Sequence, residues 1–392
     1  MKPIFNSLGS NYSLSFALKA LTFLVHPSKN TNKRLEKLLE EKFDGKAYLY
    51  YKGRDAIECC LRALGVGERD EILIQAFTCY AIEEAVLRAS AVPIFVDLEK
   101  NMLNPSIKTL NEAYVKAKQP KAVLIQHTLG CPAEIKKIKQ WCKQRNLFLI
   151  EDLAQAYGGK TPEGKLLGAY GDAVILSFGR DKILDAVSGG ALIIRTPHKA
   201  VQATGKLPWT HVAKDMVYPL TTLLIRTWFS SGLGKILHKI LVKTKIIDSP
   251  VKSFSKKPLS LPSPYAALVL YRLKSLSTQL AHRKEIASLY TENLKTVNLQ
   301  EKVLCGSCLR FPVFVNNPET VVSKAKERKI YISDRWYRKA VDCGNLNCRS
   351  YYAQGNCPNA EKASHQILNL PTHQGITKQD AERLVAFLKS AI

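Results

Sequence analysis

Acid is what this chain has too little of. Asp and Glu number 33 against 58 Lys and Arg, a formal charge of +25 over 392 residues. Such a balance favours acidic partners: nucleic acid, an anionic membrane or a phosphorylated substrate. Further absences narrow that choice. The chain has no basic-aromatic RNA motif and no zinc-finger spacing, which argues against nucleic acid as its target. Its N-terminal apolar run, Leu14 to Val25, is interrupted by Lys19. That run is too short to span a bilayer and lacks a small-residue cleavage site, so a docked helix is expected there rather than a signal peptide. The ten cysteines follow no framework spacing and read as reduced thiols of a cytoplasmic protein. Cys305-Gly-Ser-Cys308 has metal-ligand spacing, but no tight second pair accompanies it, so no metal site is expected.

What is present is a chain long enough for one large and one smaller domain, with an ordinary 46% hydrophobic content. Apolar strand segments at Asp70–Gln75, Val92–Asp97, Ala122–His127 and the stretch ending at Asp152 alternate with helical ones at 80 onward, Ser106–Lys118 and Ala133–Gln144. That alternation implies right-handed crossovers and a largely parallel sheet, with ligands at the carboxyl ends of the strands.

Two stretches near the middle carry the chemistry. In the first, two strands, Ala173–Phe178 and Ala191–Arg195, flank a polar loop. The loop holds Lys182, with Ser177 before it and Gly189-Gly190 after it. A lysine there can form an imine with a carbonyl cofactor if burial or a cation lowers its pKa, and Arg180 is the candidate cation. In the second, Asn146-Leu-Phe-Leu-Ile-Glu151-Asp152 is an apolar strand ending in carboxylates. An aspartate at that end suits protonation of a pyridine nitrogen. Upstream, Gly53-Arg54-Asp55 opens a helix whose first amides suit a phosphate. His127, also at a strand end, reads as a structural hydrogen bond, and Phe77 and Tyr80 as core aromatics.

Together, Glu151-Asp-Leu-Ala-Gln155-Ala-Tyr-Gly-Gly159, Gly171-Asp172, Ser177-Phe178, Lys182 and Gly189-Gly190 resemble the DegT/DnrJ/StrS-type sugar aminotransferases. Cys357-Pro-Asn-Ala-Glu361 and Leu370-Pro-Thr-His373 extend the resemblance. It runs from about residue 50 to the end, apart from 198–257. The resemblance implies the α/β fold type I of pyridoxal-phosphate (PLP) enzymes: a mostly parallel sheet of the seven-stranded type flanked by helices, and a smaller α+β C-terminal domain. The implied division is an N-terminal helical arm (1–45), a cofactor domain (46–265) and a small domain (266–392). Lys182 and Asp152 are the implied catalytic pair. Lys182, Asp152, Gln155, Ser177, Gly53, Arg54 and Asp55 are the implied cofactor contacts.

By the same resemblance the chain is a homodimer that passes an amino group from an amino acid, such as glutamate, to a keto sugar on a nucleotide. Surface polysaccharide or glycoconjugate synthesis is the expected context. This chain departs from the family in three places. Gly53-Arg54 lacks the usual hydroxyl, Cys79 replaces a ring-stacking aromatic, and the Gly-x-Asn-x-Arg loop that reaches a neighbouring subunit is missing. The family's sugar dehydratases carry histidine where Lys182 stands, which argues against that activity. A PLP-fold regulatory or membrane-associated protein is the remaining alternative.

The 198–257 segment holds eleven Lys and Arg against two Asp. Lys235, Lys239 and Lys243 recur beside Ile236, Leu237, Ile240 and Leu241, a basic amphipathic helix. Its expected role is peripheral contact with an anionic membrane at the inner face.

Overall fold

The computed structural model describes residues 2–27, 29–196, 202–249, 251–252, 255–294, 304–344 and 348–391. Seven short apolar strands pair into one sheet: β1 (Lys46–Tyr50), β2 (Glu71–Gln75), β3 (Val92–Val96), β4 (Pro120–Gln126), β5 (Phe148–Asp152), β6 (Ala173–Ser177) and β7 (Gly190–Ile194). Their order across the sheet is β1-β7-β6-β5-β4-β2-β3. Only β7 opposes its neighbours; the other pairings are parallel. The central strands are buried on both faces, which is why they read as continuous apolar runs rather than alternating ones. Register pairs Gln126 with Asp152, Asp152 with Ile175, and Ser177 with Gly190. The carboxyl ends of β2, β4, β5 and β6 therefore share one edge. The chain steps outward from β2 to β3 and then back across to β4, so that edge contains the switch point where open α/β sheets bind ligands.

Helices cover both faces. The helix α1 (Leu14–Val25) is capped by Ser13, whose Oγ accepts from Phe16 N–H, and α2 (Thr31–Phe43) follows it. The helix α3 (Gly53–Ala63) is buried along nearly its whole length. It is followed by α4 (Tyr80–Arg88), α5 (Ile107–Tyr114) and α6 (Ile135–Gln144). The helix expected over 106–118 is thus shorter than its sequence suggested, starting at a Ser106–Thr109 capping box and ending at Tyr114. Within 198–257, α7 (Trp209–Thr227) and α8 (Leu233–Lys243) form a helical pair.

Two helices follow: α9 (Ser263–Leu273) and α10 (Leu276–Asn293). Ser275 separates them. Its hydroxyl donates to Arg272 C=O at 3.3 Å and accepts from Gln279 at 2.8 Å, a local alternative to the helical ladder. Tyr265, Ala266, Leu268 and Val269 of α9 pack with Phe16, Val174 and Leu176 in the core of the large sheet.

The C-terminal part has its own apolar cluster around an antiparallel pair, Arg310–Phe314 with Ile367–Pro371. The N-terminal arm joins it through a short parallel pairing of Ile4–Phe5 with Ile330–Tyr331. One expectation about the thiols is corrected. Cys343 and Cys348 are disulfide-bonded, their Cα atoms 6.4 Å apart and within bridging reach, while the other eight cysteines lie outside any disulfide.

Candidate active site

Side chains alternate faces along a strand, so the consecutive carboxylates that end β5 point opposite ways. Glu151 accepts from the backbone N–H groups of Gly168 (2.9 Å), Tyr170 (2.7 Å) and Gly171 (2.5 Å) and lies 3.3 Å from His127 Nε2. Burial alone would raise its pKa, but His127 and these amides hold it below the ordinary value. His127 Nδ1 accepts from Ala133 N–H at 3.1 Å, so both ring nitrogens are engaged in structural contacts. Asp152 faces the other way. It is 2% exposed and, among the described residues, accepts only a short turn bond from Ala154 N–H at 2.8 Å. Burial raises its pKa; Ala154 N–H and the charge of Lys182 oppose that rise.

Lys182 lies in the turn between β6 and β7, its Nζ 4.6 Å from the ring centroid of Trp336. Burial lowers its pKa; Cys79 and Asp152 act against the shift, and Arg310 adds to it. Arg180, expected to be the cation that depresses Lys182, points elsewhere. It binds Asp215 Oδ1 at 2.9 Å and Asp248 C=O at 2.8 Å and lies 3.7 Å over the Tyr218 ring. Arg310 takes that place, 4.0 Å from the Trp336 centroid and tied to Asp334 at 2.8 Å.

Gln155 accepts from Leu129 N–H at 2.6 Å and donates to the Tyr337 hydroxyl, which Gln126 also approaches at 3.5 Å. Tyr337 is buried edge-on to Phe77, and burial raises its pKa well above the usual phenol range, so it stays protonated. Trp336 and Tyr337 come from a segment more than 150 residues after Lys182. No local motif marks them; the one cue is two adjacent large aromatics in a segment with little regular structure. Tyr80 sends its hydroxyl toward Arg349 C=O at 3.4 Å, and Phe77 is core. The aromatics gathered around Lys182 and Gln155 are therefore Trp336 and Tyr337.

The start of α3 lies directly against the end of β6. A Cβ on Gly53 would lie 3.3 Å from Ser177 Cβ and 3.5 Å from its Oγ. A Cβ on Gly190 would lie 2.7 Å from Gly53 N and the Lys52 carbonyl. Only glycine lets these backbones approach so closely. Burial pushes the adjacent Lys52 ammonium down to about 8. Arg54 pairs with Glu84 and donates to Val251 C=O at 2.6 Å. Asp55 does not join the site. Its carboxylate pairs with Arg88 at 3.0 Å and accepts from Leu259 N–H at 3.4 Å. A carboxylate facing a phosphate would also repel it.

The structure thus brings Lys182, Asp152 and Gln155 together, with Ser177 and Gly53 at the helix start, and commits Arg54 and Asp55 to other partners. A lysine of lowered pKa, a buried strand-end carboxylate and a glycine-cleared helix start match the carbonyl, ring nitrogen and phosphate of PLP. The residues present fit that group. Among the described residues, no cluster of His, Cys, Asp or Glu could hold a metal ion.

The profile of the DegT/DnrJ/EryC1/StrS aminotransferase family matches residues 27–207 and 259–389. The chain belongs to that family. The gap in the match falls on the segment that carries α7 and α8. A pleiotropic regulatory protein of Geobacillus stearothermophilus is 38% identical over 347 residues, covering 85% of this chain and 81% of that protein. A dTDP-4-dehydro-2,3,6-trideoxy-D-glucose 4-aminotransferase of Saccharopolyspora spinosa is 31% identical, covering 84% and 80%. A GDP-perosamine synthase of Escherichia coli O157:H7 is 32% identical over a shorter stretch, 39% of this chain and 43% of that protein. Among solved structures, a DegT/DnrJ/EryC1/StrS aminotransferase from Brucella abortus superposes with a TM-score of 0.71 at 22% identity, over 96% of this chain and 95% of that one. That likeness carries the fold: the type I architecture of PLP aminotransferases.

Proposed function

We propose that this aminotransferase family member takes an amino group from an amino acid, glutamate by preference, and delivers it to a keto sugar carried on a nucleotide. Its cofactor is PLP, and its products enter surface polysaccharide or glycoconjugate synthesis. The observation that carries the reading is that buried Asp152 ends β5 on the sheet edge from which the Lys182 turn leaves β6, beside the glycine-cleared start of α3. Sugar aminotransferases among the relatives support the acceptor class.

When bound, the cofactor supplies an electron sink for the bond broken at the donor's Cα. The protein's residues do the rest. Asp152 holds the ring nitrogen protonated. Gln155, fixed by Leu129 N–H, would hold the ring side of the cofactor. Ser177 and the backbone at Gly53 take the phosphate, while Arg54 stays neutralised by Glu84. Lys182, its pKa lowered by burial, is unprotonated more often than an exposed lysine and moves the proton to and from Cα. Trp336 and Tyr337 close over these groups and exclude water. The chain's positive charge favours an anionic sugar nucleotide.

The reading includes a homodimer, in keeping with the family, and a cytoplasmic location, in keeping with eight of the ten cysteines lying outside the Cys343–Cys348 disulfide. Among the described residues no helix is long and apolar enough to cross a membrane. A second reading, a regulatory protein that keeps the fold, is favoured by the 38% identity to the Geobacillus protein. One experiment separates the two. The holoenzyme is given glutamate, glutamine or aspartate with a panel of keto sugar nucleotides, and the products are weighed by mass spectrometry. A one-nitrogen amino sugar product, with the cofactor's near-visible band bleached by the donor alone, is expected. A band unmoved by every donor, with no aminated product, would favour the regulatory reading.

A further inference from the structure

We propose that α1, α7 and α8 form a platform that docks on an anionic bilayer surface. The proposal is independent of the reaction assigned above and rests on which face of each helix the fold leaves bare.

The helix α8 packs on the protein through Gly234 and Leu241. A Cβ on Gly234 would sit 2.2 Å from Ile225 C=O, so the two helices touch backbone to backbone there. That contact leaves the apolar stripe Leu233, Ile236 and Ile240 unused, at 59, 57 and 52% exposure. Lys235, Lys239 and Lys243 are exposed alongside the stripe. The amphipathic pattern therefore does not serve packing, since its main apolar face points to solvent.

The same holds for the helices behind it. Leu14 and Leu18, one turn apart on α1, are exposed, while Phe16, Ala17 and Ala20 pack inward. Trp209 and Trp228, at and just beyond the ends of α7, are about half exposed. Tyr12, just before α1, meets Tyr218 of α7 edge-on, and its C=O accepts from Arg226 at 3.0 Å. Of fourteen large hydrophobic residues exposed among the described ones, eleven lie on these three helices or just after them. Scattered surface apolar residues need no explanation, but this concentration does.

Charge decides the occupant. The 198–257 segment carries a net +9, and Lys19 of α1 is exposed as well. In a two-fold dimer formed through this face, each copy would set these cations against the same cations of the other. An anionic leaflet satisfies both halves of the surface: its headgroups take the lysines and its acyl boundary takes Leu233, Ile236 and Ile240. Tryptophans at the rim of such a surface suit the headgroup layer. Asp215 of α7 holds Arg180, two residues from Lys182, so the platform is tied to the active-site loop.

The test is sedimentation of the full-length holoenzyme with vesicles of phosphatidylcholine alone or mixed with phosphatidylglycerol. Binding is expected only with the anionic lipid at low ionic strength, and should be lost near about 1 M salt, where the Debye length is about 3 Å. Changing Lys235, Lys239 and Lys243 together to Glu should lower the partition coefficient on the order of a hundredfold. Ile236→Ser with Ile240→Ser should lower it roughly tenfold or more and leave the mass in solution unchanged. All five positions are exposed, and an unchanged melting curve confirms that the variants fold. Equal recovery in the supernatant with both vesicle types at low salt would overturn the proposal. A halved solution mass for Ile236→Ser/Ile240→Ser would also overturn it, assigning the face to a second copy of the chain.

Discussion

Arg180 and Asp215 form an ion pair at 2.9 Å that joins the Lys182 loop to helix α7. Tyr51 and Tyr265 donate to the other oxygen of Asp215, each at 2.8 Å. Both members of the pair are nearly buried, so removing one leaves the other's charge unsatisfied. Asp215→Ala should cost about 3–5 kcal/mol in a denaturant titration. A loss below about 1 kcal/mol would show that Arg180 finds another partner and that the loop is held by something else.

Lys182→Ala should fold normally, because the residue sits in a turn. It should lose the cofactor's near-visible band and several orders of magnitude in turnover, since both attachment and proton movement depend on that amine. Circular dichroism, absorbance and turnover together check this. Near-wild-type turnover without added amine would exclude Lys182.

Asp152→Asn should keep the cofactor bound while slowing proton transfer at Cα far more than it weakens donor binding. Single-turnover kinetics separate the two effects. An unchanged proton-transfer step would mean that the strand-end carboxylate has a different task.

Gly190→Ala tests the phosphate cradle without touching a titratable group. The added methyl would meet Gly53 N and the Lys52 carbonyl at 2.7 Å, and backbone cannot yield as a side chain can. Affinity for PLP should fall roughly tenfold or more, with a stability loss of about 1–3 kcal/mol from overpacking. Fluorescence titration of the apoenzyme reads the first, thermal melting the second. Wild-type affinity would place the phosphate elsewhere.

His373 gives a pH test. Its Nε2 lies 2.8 Å from Phe5 C=O and its Nδ1 accepts from Gly375 N–H at 3.1 Å, an arrangement for the neutral ring. Burial pushes its pKa down to about 3, and Arg283, Arg226 and Arg310 add to that. The unfolded chain takes up the proton near pH 6.5 and the folded chain does not, so His373 costs stability as pH falls from 6.5 toward 3. The stability of wild type relative to His373→Gln should fall by about 1.4 kcal/mol per pH unit below about pH 6. A difference constant with pH would mean that the folded ring takes up the proton as readily as the unfolded one.

The parts of the site visible in the sequence are those built from neighbours along the chain. Asp152 and Gln155 are three residues apart on one strand-to-turn segment, and Ser177, Lys182 and Gly190 lie on one strand–turn–strand unit, so they stand in continuous motifs that carry the family resemblance. Tyr337, Trp336 and Arg310 reach the site only through the packing of the C-terminal part on the sheet. Nothing near them in sequence marks that contact. Arg180 shows the opposite limit. It is close to Lys182 along the chain, yet a buried aspartate 35 residues later takes its charge. The resemblance groups Asp55 with the cofactor contacts, but its side chain answers to Arg88 on the next helix. Ser275 has no signature either: serine is an ordinary helix residue until its hydroxyl finds Arg272 and Gln279.

Glu151 and Asp152 divide one strand end between two tasks, and only the parity of their positions tells them apart. A single residue inserted into or deleted from β5 upstream of Glu151 would trade their places. The carboxylate clasped by Gly168, Tyr170 and Gly171 would turn toward the cofactor, and the other would be driven into a nest of amides already shaped for its neighbour. Substitutions within this strand are therefore a lesser hazard than a change of its length. A change of length in the turn at Arg145–Leu147, before β5 begins, leaves the parity of Glu151 and Asp152 within the strand alone.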